Sequence, residues 1–110
     1  MSYNILTTQR FEKELKRLVK KFPSLKSEFS RFVSVILENP ETGSFIGNSC
    51  YKTRLAITSK GKGKRGGARV ITYLYFTTQT VYLLTIYEKG EKADLKPKEL
   101  KEMIESLELV

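Results

Sequence analysis

The chain has 110 residues, enough for one domain over residues 1–110, and carries 20 Lys and Arg against 12 Asp and Glu, a formal net charge of +8 with no histidine. The lack of histidine excludes His-dependent triads; one cysteine and one aspartate, Asp94, leave almost no metal ligands, so neither a metal nor another cofactor is expected. No apolar run approaches the roughly 20 residues of a membrane span, no signal-peptide pattern opens the chain, and the lone Cys50 cannot close an internal disulfide, which together suggest a cytoplasmic protein.

Tyr3 to Thr7 is short and rich in strand formers and predicts a first strand. From Thr8, Phe11, Leu15, Leu18, Val19 and Phe22 recur at the spacing of one helix face, and Pro23 stops the helix. Ser24 is expected to cap a second helix whose apolar stripe is Leu25, Phe29, Phe32, Val33, Ile36 and Leu37, ending at Asn39-Pro40. Glu41 to Ser49 has two glycines and no period, and reads as a surface loop.

Three strands should follow. Tyr51 to Thr58 alternates so that Lys52 and Arg54 project from one face and Thr53, Leu55 and Ile57 from the other. Ala68 to Phe76 and Thr80 to Tyr87 are dense in β-branched and aromatic residues, joined by a short hairpin link at Thr77 to Gln79. A polar turn from Glu88 to Asp94 leads to a last helix opened by Pro97, with Leu100, Met103, Ile104 and Leu107 on its apolar face. The order β-α-α-β-β-β-α implies an α+β fold, a helical hairpin packed on a four-stranded, mainly antiparallel β-sheet.

The stretch Lys60 to Arg69 holds five cations and four glycines in ten residues, without an acid. From Cys50 to Tyr87 there are seven cations (Lys52, Arg54, Lys60, Lys62, Lys64, Arg65 and Arg69) and no acid, whereas the remainder has thirteen cations against twelve acids. The excess charge therefore belongs to one segment, as expected of a localised polyanion footprint. Lys60, Lys62, Lys64 and Arg65 are the expected RNA-phosphate contacts, on a loop too long for a tight turn and expected to be mobile when empty.

This pattern resembles the RelE/ParE superfamily of toxin-antitoxin toxins, and its RelE and HigB branch most closely, through Gly61 to Ile71 and through Tyr82 to Lys89 followed by Ala93-Asp-Leu95. The resemblance implies a type II toxin that enters the ribosomal A site and cuts messenger RNA without a metal. It also implies an antitoxin that holds it inactive. By position, it assigns catalytic roles to Lys52, Arg54, Arg69, Tyr87 and Lys89. Arg54 and Arg69 would clamp the non-bridging phosphate oxygens; the proton acceptor stays open between Lys52, Lys89 and Tyr87, since no tyrosine follows Tyr87. With no histidine and almost no other metal ligands, the chemistry is expected to run on Lys, Arg, Tyr, Ser, Thr or Glu. Plainer roles stand beside these: a solvated hairpin loop, an Arg69 paired with an acid elsewhere, a cross-strand aromatic Tyr87, and cations that keep a sheet face soluble. Two other functions share the basic footprint, a non-catalytic ribosome or nucleic-acid binder and a ParE-like inhibitor of DNA gyrase.

Overall fold

The computed structural model describes residues 3–60, 66–92 and 94–107. Five strands, β1 (Asn4–Thr7), β2 (Ser44–Gly47), β3 (Cys50–Leu55), β4 (Ala68–Tyr75) and β5 (Thr80–Glu88), and three helices, α1 (Gln9–Lys21), α2 (Leu25–Glu38) and α3 (Pro97–Glu105), follow in the order β-α-α-β-β-β-β-α. The sheet runs β1-β5-β4-β3-β2, with β1 parallel to β5 and every other pair antiparallel.

The expected α+β class is present, with one strand more than the four expected. Glu41 to Ser49 is not all surface loop: Ser44 to Gly47 pairs with β3 as an edge strand. Gly47 faces Cys50, and the two residues between them, Asn48 and Ser49, both have positive φ (53° and 59°), the signature of a type I′ hairpin turn. A four-residue strand closed by Asn-Ser instead of Asn-Gly gives little periodicity and a weak turn signal, which is why it read as loop.

Each helix covers the sheet with its apolar stripe. Phe11 and Leu18 of α1 and Leu25, Phe32 and Ile36 of α2 are buried against Val70, Leu74, Val81, Leu83 and Ile86 on one face. On the opposite face, Leu100 and Met103 of α3 pack on Cys50, Ile71, Leu84 and Tyr87. Each such side chain contributes roughly 1.5–3 kcal/mol through burial, so the two-sided covering supplies the stabilisation that a disulfide-free chain needs. Leu37, expected in the α2 stripe, is exposed; it lies next to Ile36 and points off the buried face.

The helix ends show how the elements are joined. Thr8 caps α1 by accepting the Phe11 N–H at 3.0 Å and donates its own hydroxyl to the Leu84 carbonyl, so one side chain starts the helix and ties it to β5. Beyond the end of β1 the outer edge of β5 would be open. Glu14 closes it, with Oε1 accepting from the Thr85 hydroxyl at 2.7 Å and from the Ile86 N–H at 3.3 Å.

Ser24 does not cap α2 as expected; its backbone is already helical and its hydroxyl makes no capping bond to the helix. That hydroxyl is used elsewhere, donating to Glu28 Oε1 at 3.1 Å and accepting the Ser59 N–H at 2.8 Å. Glu28, buried on α2, also accepts the Thr58 N–H and hydroxyl at 3.1 and 2.8 Å. The predicted strand Tyr51 to Thr58 accordingly ends at Leu55, and Thr58–Lys60 forms a 3-10 turn pinned to α2. The near side of the basic loop is thus anchored by a buried carboxylate.

The far side is fixed by Gly67. A Cβ built there would lie 1.9 Å from the Leu55 carbonyl oxygen, a contact only glycine avoids. The glycine therefore serves chain packing at the base of the loop. The segment 61–65, with Lys62, Lys64 and Arg65, and the Lys60 side chain lie outside the described residues, as does the expected mobility of the loop.

Two substitutions test these anchors by urea denaturation. Glu28→Ala leaves the Thr58 N–H without its acceptor and is expected to cost on the order of 2 kcal/mol. Gly67→Ala forces the Leu55 and Gly67 backbones apart and is expected to cost on the order of 3 kcal/mol; a Gly67→Ala protein as stable as wild type would contradict the close approach.

Candidate active site

The registers of the three central strands build the site. On β3, Arg54 lies directly opposite Arg69 of β4, and Arg69 lies directly opposite Tyr87 of β5. Neighbouring strands are about 4.8 Å apart, so the three residues form a row across the sheet. Lys52, two positions from Arg54 on β3, shares its face, as the alternation predicted. Lys89 follows the end of β5. Its N–H donates to the Gly67 carbonyl at 3.0 Å, which holds it at the same end of the sheet with an exposed side chain.

Burial divides the row. Arg54 is exposed, whereas Arg69 and Tyr87 are 3% and 5% exposed. Nη1 of Arg69 donates to the Ala68 carbonyl at 3.1 Å. Burial, then the facing Arg54 guanidinium, pushes Arg69 below the ordinary arginine value, while Tyr87 and Asp94 act in the opposite sense. Two cations placed directly opposite each other, one of them buried, oppose folding. An anion laid across them relieves that repulsion and takes up planar, charge-assisted hydrogen bonds.

Tyr87 is a poor proton acceptor at neutral pH. Burial, then the Asp94 carboxylate, pushes its phenol up to about 12. The Asp94 carboxylate lies beside the buried hydroxyl, close enough for a weak hydrogen bond that also favours the protonated phenol. The plain alternative of a cross-strand aromatic pair does not describe Tyr87 either. Its register partner is Arg69, and the tyrosine pairs on this face are Tyr73 with Tyr75 and Tyr73 with Tyr82.

A further side chain joins the cations. Asp94, in the segment entering α3, accepts the Leu95 N–H at 2.8 Å and lies 3.5 Å from Lys52 Nζ. The Leu95 N–H first and Lys52 next hold its carboxyl below the usual range. Asp94 belongs to the Ala93-Asp-Leu95 motif that carries the resemblance, but the expected inventory of Lys, Arg, Tyr, Ser, Thr and Glu gave it no role, because a lone aspartate in a polar turn does not show what it will meet. Lys52 and Asp94 line a cleft of about 210 Å³ with Ile46, Asn48, Leu95 and Pro97 among its walls. That size suits a phosphate and part of a sugar better than a large cofactor. Among the described residues no group of three or more His, Cys, Asp or Glu is placed to hold a metal ion. Cys50, buried on the α3 face, has its thiol pushed up to about 12 by burial and behaves as a core side chain.

The buried phenol yields a stability prediction. Tyr87→Phe removes a hydroxyl whose contact with Asp94 is weak, so thermal stability should change by no more than about 1 kcal/mol. A larger loss in a melting experiment would show that the bond to Asp94 is strong.

Comparison with known proteins bears on the whole chain. The solved structures of E. coli RelE toxin share its fold. A mutant of that toxin in the free state superimposes with a TM-score of 0.66 at 16% identity, covering 97% of this chain and 99% of that one. The isolated E. coli toxin gives 0.61 at 18% identity over 96% and 99%. The mutant in complex with an antitoxin RelBc peptide gives 0.61 at 15% identity over the full length of both chains. A family model described as the RelE toxin of the RelE/RelB toxin-antitoxin system matches residues 4–108, and by that match the chain belongs to the RelE toxin family.

Proposed function

We propose that this RelE-family toxin is a metal-independent endoribonuclease that cuts messenger RNA in the ribosomal A site and so inhibits translation. The observation that carries this reading is the row Arg54, Arg69 and Tyr87 with Lys52 beside it, a preformed cationic face at one end of the sheet. In such a reaction the ribose 2′-hydroxyl attacks the adjacent phosphorus, and the negative charge that grows on the non-bridging oxygens is met by the two guanidinium groups. Arg54, exposed, can reach the substrate first; Arg69, held rigidly in the sheet, supplies a fixed donor where charge develops. The loop cations Lys60, Lys62, Lys64 and Arg65 add affinity for the RNA backbone. Lys89, exposed at the same end, contributes to that footprint.

The ribosome and messenger RNA are the partners in this reading, with the cytoplasm as its setting. No helix among the described residues is long and apolar enough to cross a membrane. An antitoxin is the other partner, as in the E. coli complex, and an acidic segment suits a stretch of chain in which seven cations are uninterrupted by any acid from Cys50 to Tyr87.

The test is to add protein to programmed ribosomes and, in parallel, to the same messenger RNA alone with EDTA, and to map new 5′ ends. Wild type is expected to cut at A-site codons only on the ribosome. Arg54→Ala, at an exposed position, and Arg69→Lys, which keeps the charge and loses the planar fork, should each retain the fold. Each should lower single-turnover cleavage about a hundredfold, near 3 kcal/mol of transition-state stabilisation. A folded wild type that cuts nothing would favour a non-catalytic binder or a gyrase inhibitor, and DNA supercoiling would distinguish those.

A further inference from the structure

The cationic row accounts for charge stabilisation and leaves the two proton transfers without owners. Cleavage by the 2′-hydroxyl needs one group to take its proton and another to protonate the departing 5′-oxygen. Of the acceptors expected from sequence, Tyr87 holds its proton, while Lys52 has its ammonium against a carboxylate. Lys89 has no hydrogen bond or ion pair to the row among the described residues.

Asp94 meets the requirements that these groups miss. It is the only aspartate of the chain, and the strand registers and the α3 approach bring it into the cationic cluster. Its side chain is 69% exposed, so a ribose can reach it, whereas its partner Lys52 is 24% exposed and firmly seated on β3. The Leu95 N–H and the Lys52 ammonium both meet its Oδ1, so the carboxylate is oriented before substrate arrives. A pair of opposite charges this exposed is worth little as a structural bond, so stability gives a weak reason for its place among the cations.

We propose that Asp94 is the general base and Lys52 the general acid of this toxin, a catalytic pair facing the phosphate held by Arg54 and Arg69. The assignment rests on the cleavage reading above. The Asp94 carboxylate accepts the 2′-hydroxyl proton as the 2′-oxygen bonds to phosphorus. The bond from phosphorus to the 5′-oxygen breaks, and the Lys52 ammonium gives that oxygen a proton. The products are a 2′,3′-cyclic phosphate and a free 5′-hydroxyl, with Asp94 protonated and Lys52 neutral. With 3.5 Å between Nζ and Oδ1, the proton then passes from acid to amine and restores the starting pair. No other reactant is consumed.

The two roles separate with a leaving group that needs no acid. Single-turnover cleavage on programmed ribosomes is measured with natural messenger RNA and with RNA carrying a bridging 5′-sulfur at the mapped scissile linkage. Asp94→Asn preserves the acceptor for the Leu95 N–H and is expected to bind ribosomes as wild type does, yet to lose about a hundredfold in rate on both substrates. Asp94→Glu should recover part of that loss. Lys52→Ala should lose a similar factor on natural RNA and return to within about tenfold of wild type on the sulfur substrate. Asp94→Asn cutting as fast as wild type, or faster, would reduce Asp94 to an internal counter-ion and overturn the base assignment. Lys52→Ala equally slow on both substrates would overturn the acid assignment. Wild type cutting neither substrate would remove the cleavage reading itself, and the pair with it.

Discussion

A single extra residue in β5 sets the composition of the site. The pairing of β4 with β5 shifts between Ile71 and Thr72, where Ile71 faces Thr85 but Thr72 faces Leu83. One additional residue in a strand exchanges its faces from that point onward. Val81 and Leu83 accordingly lie in the core beneath α1 and α2 together with Ile86, while Leu84 and Tyr87 lie on the opposite face under α3. Without the bulge, Tyr87 would continue the series of Val81 and Leu83 into the helical-hairpin core and away from Arg69. The face that carries Arg54 and Lys52 would then lack Tyr87.

The same sheet end is held from several directions. Glu28 and Ser24 pin the 3-10 turn before the basic loop, Gly67 lets the returning chain pass the Leu55 carbonyl, and the Lys89 N–H closes onto Gly67. These contacts keep the base of the loop in register with β3 and β4. In the cleavage proposed above, the arginines of β3 and β4 act together with the run of cations that lies between these strands in sequence. Rigid donors serve the transition state, where a small displacement is costly. Longer-range charge serves affinity and approach.

The arrangement opposes local stability. Arg69 is buried against a second arginine, and the Tyr87 hydroxyl is buried without a well-formed hydrogen bond. Asp94 partly offsets this charge, bringing a carboxylate against the cations of a segment that itself holds no acid. Such local conflicts are tolerated where binding or chemistry depends on them. The apolar packing on both sheet faces supplies the stability that permits them.

Much of this was legible from residue order. The apolar stripes of Phe11 to Phe22 and Leu25 to Ile36 depend only on helical periodicity, and the common face of Lys52 and Arg54 only on the two-residue repeat of an unbroken strand. Composition alone localised the charge to Cys50 through Tyr87. Tertiary structure decided the rest. The edge strand β2 exists through its pairing with β3, and Ser24 leaves its expected cap because Glu28 and Ser59 offer partners distant in sequence. Tyr87 faces Arg69 because a bulge interrupts the alternation that the letters of β5 suggest. Asp94 meets Lys52 across 42 positions because α3 folds back over the sheet. Sequence determines what repeats along one element; which side chains meet depends on register and on the return path of the chain, and no local pattern carries that information.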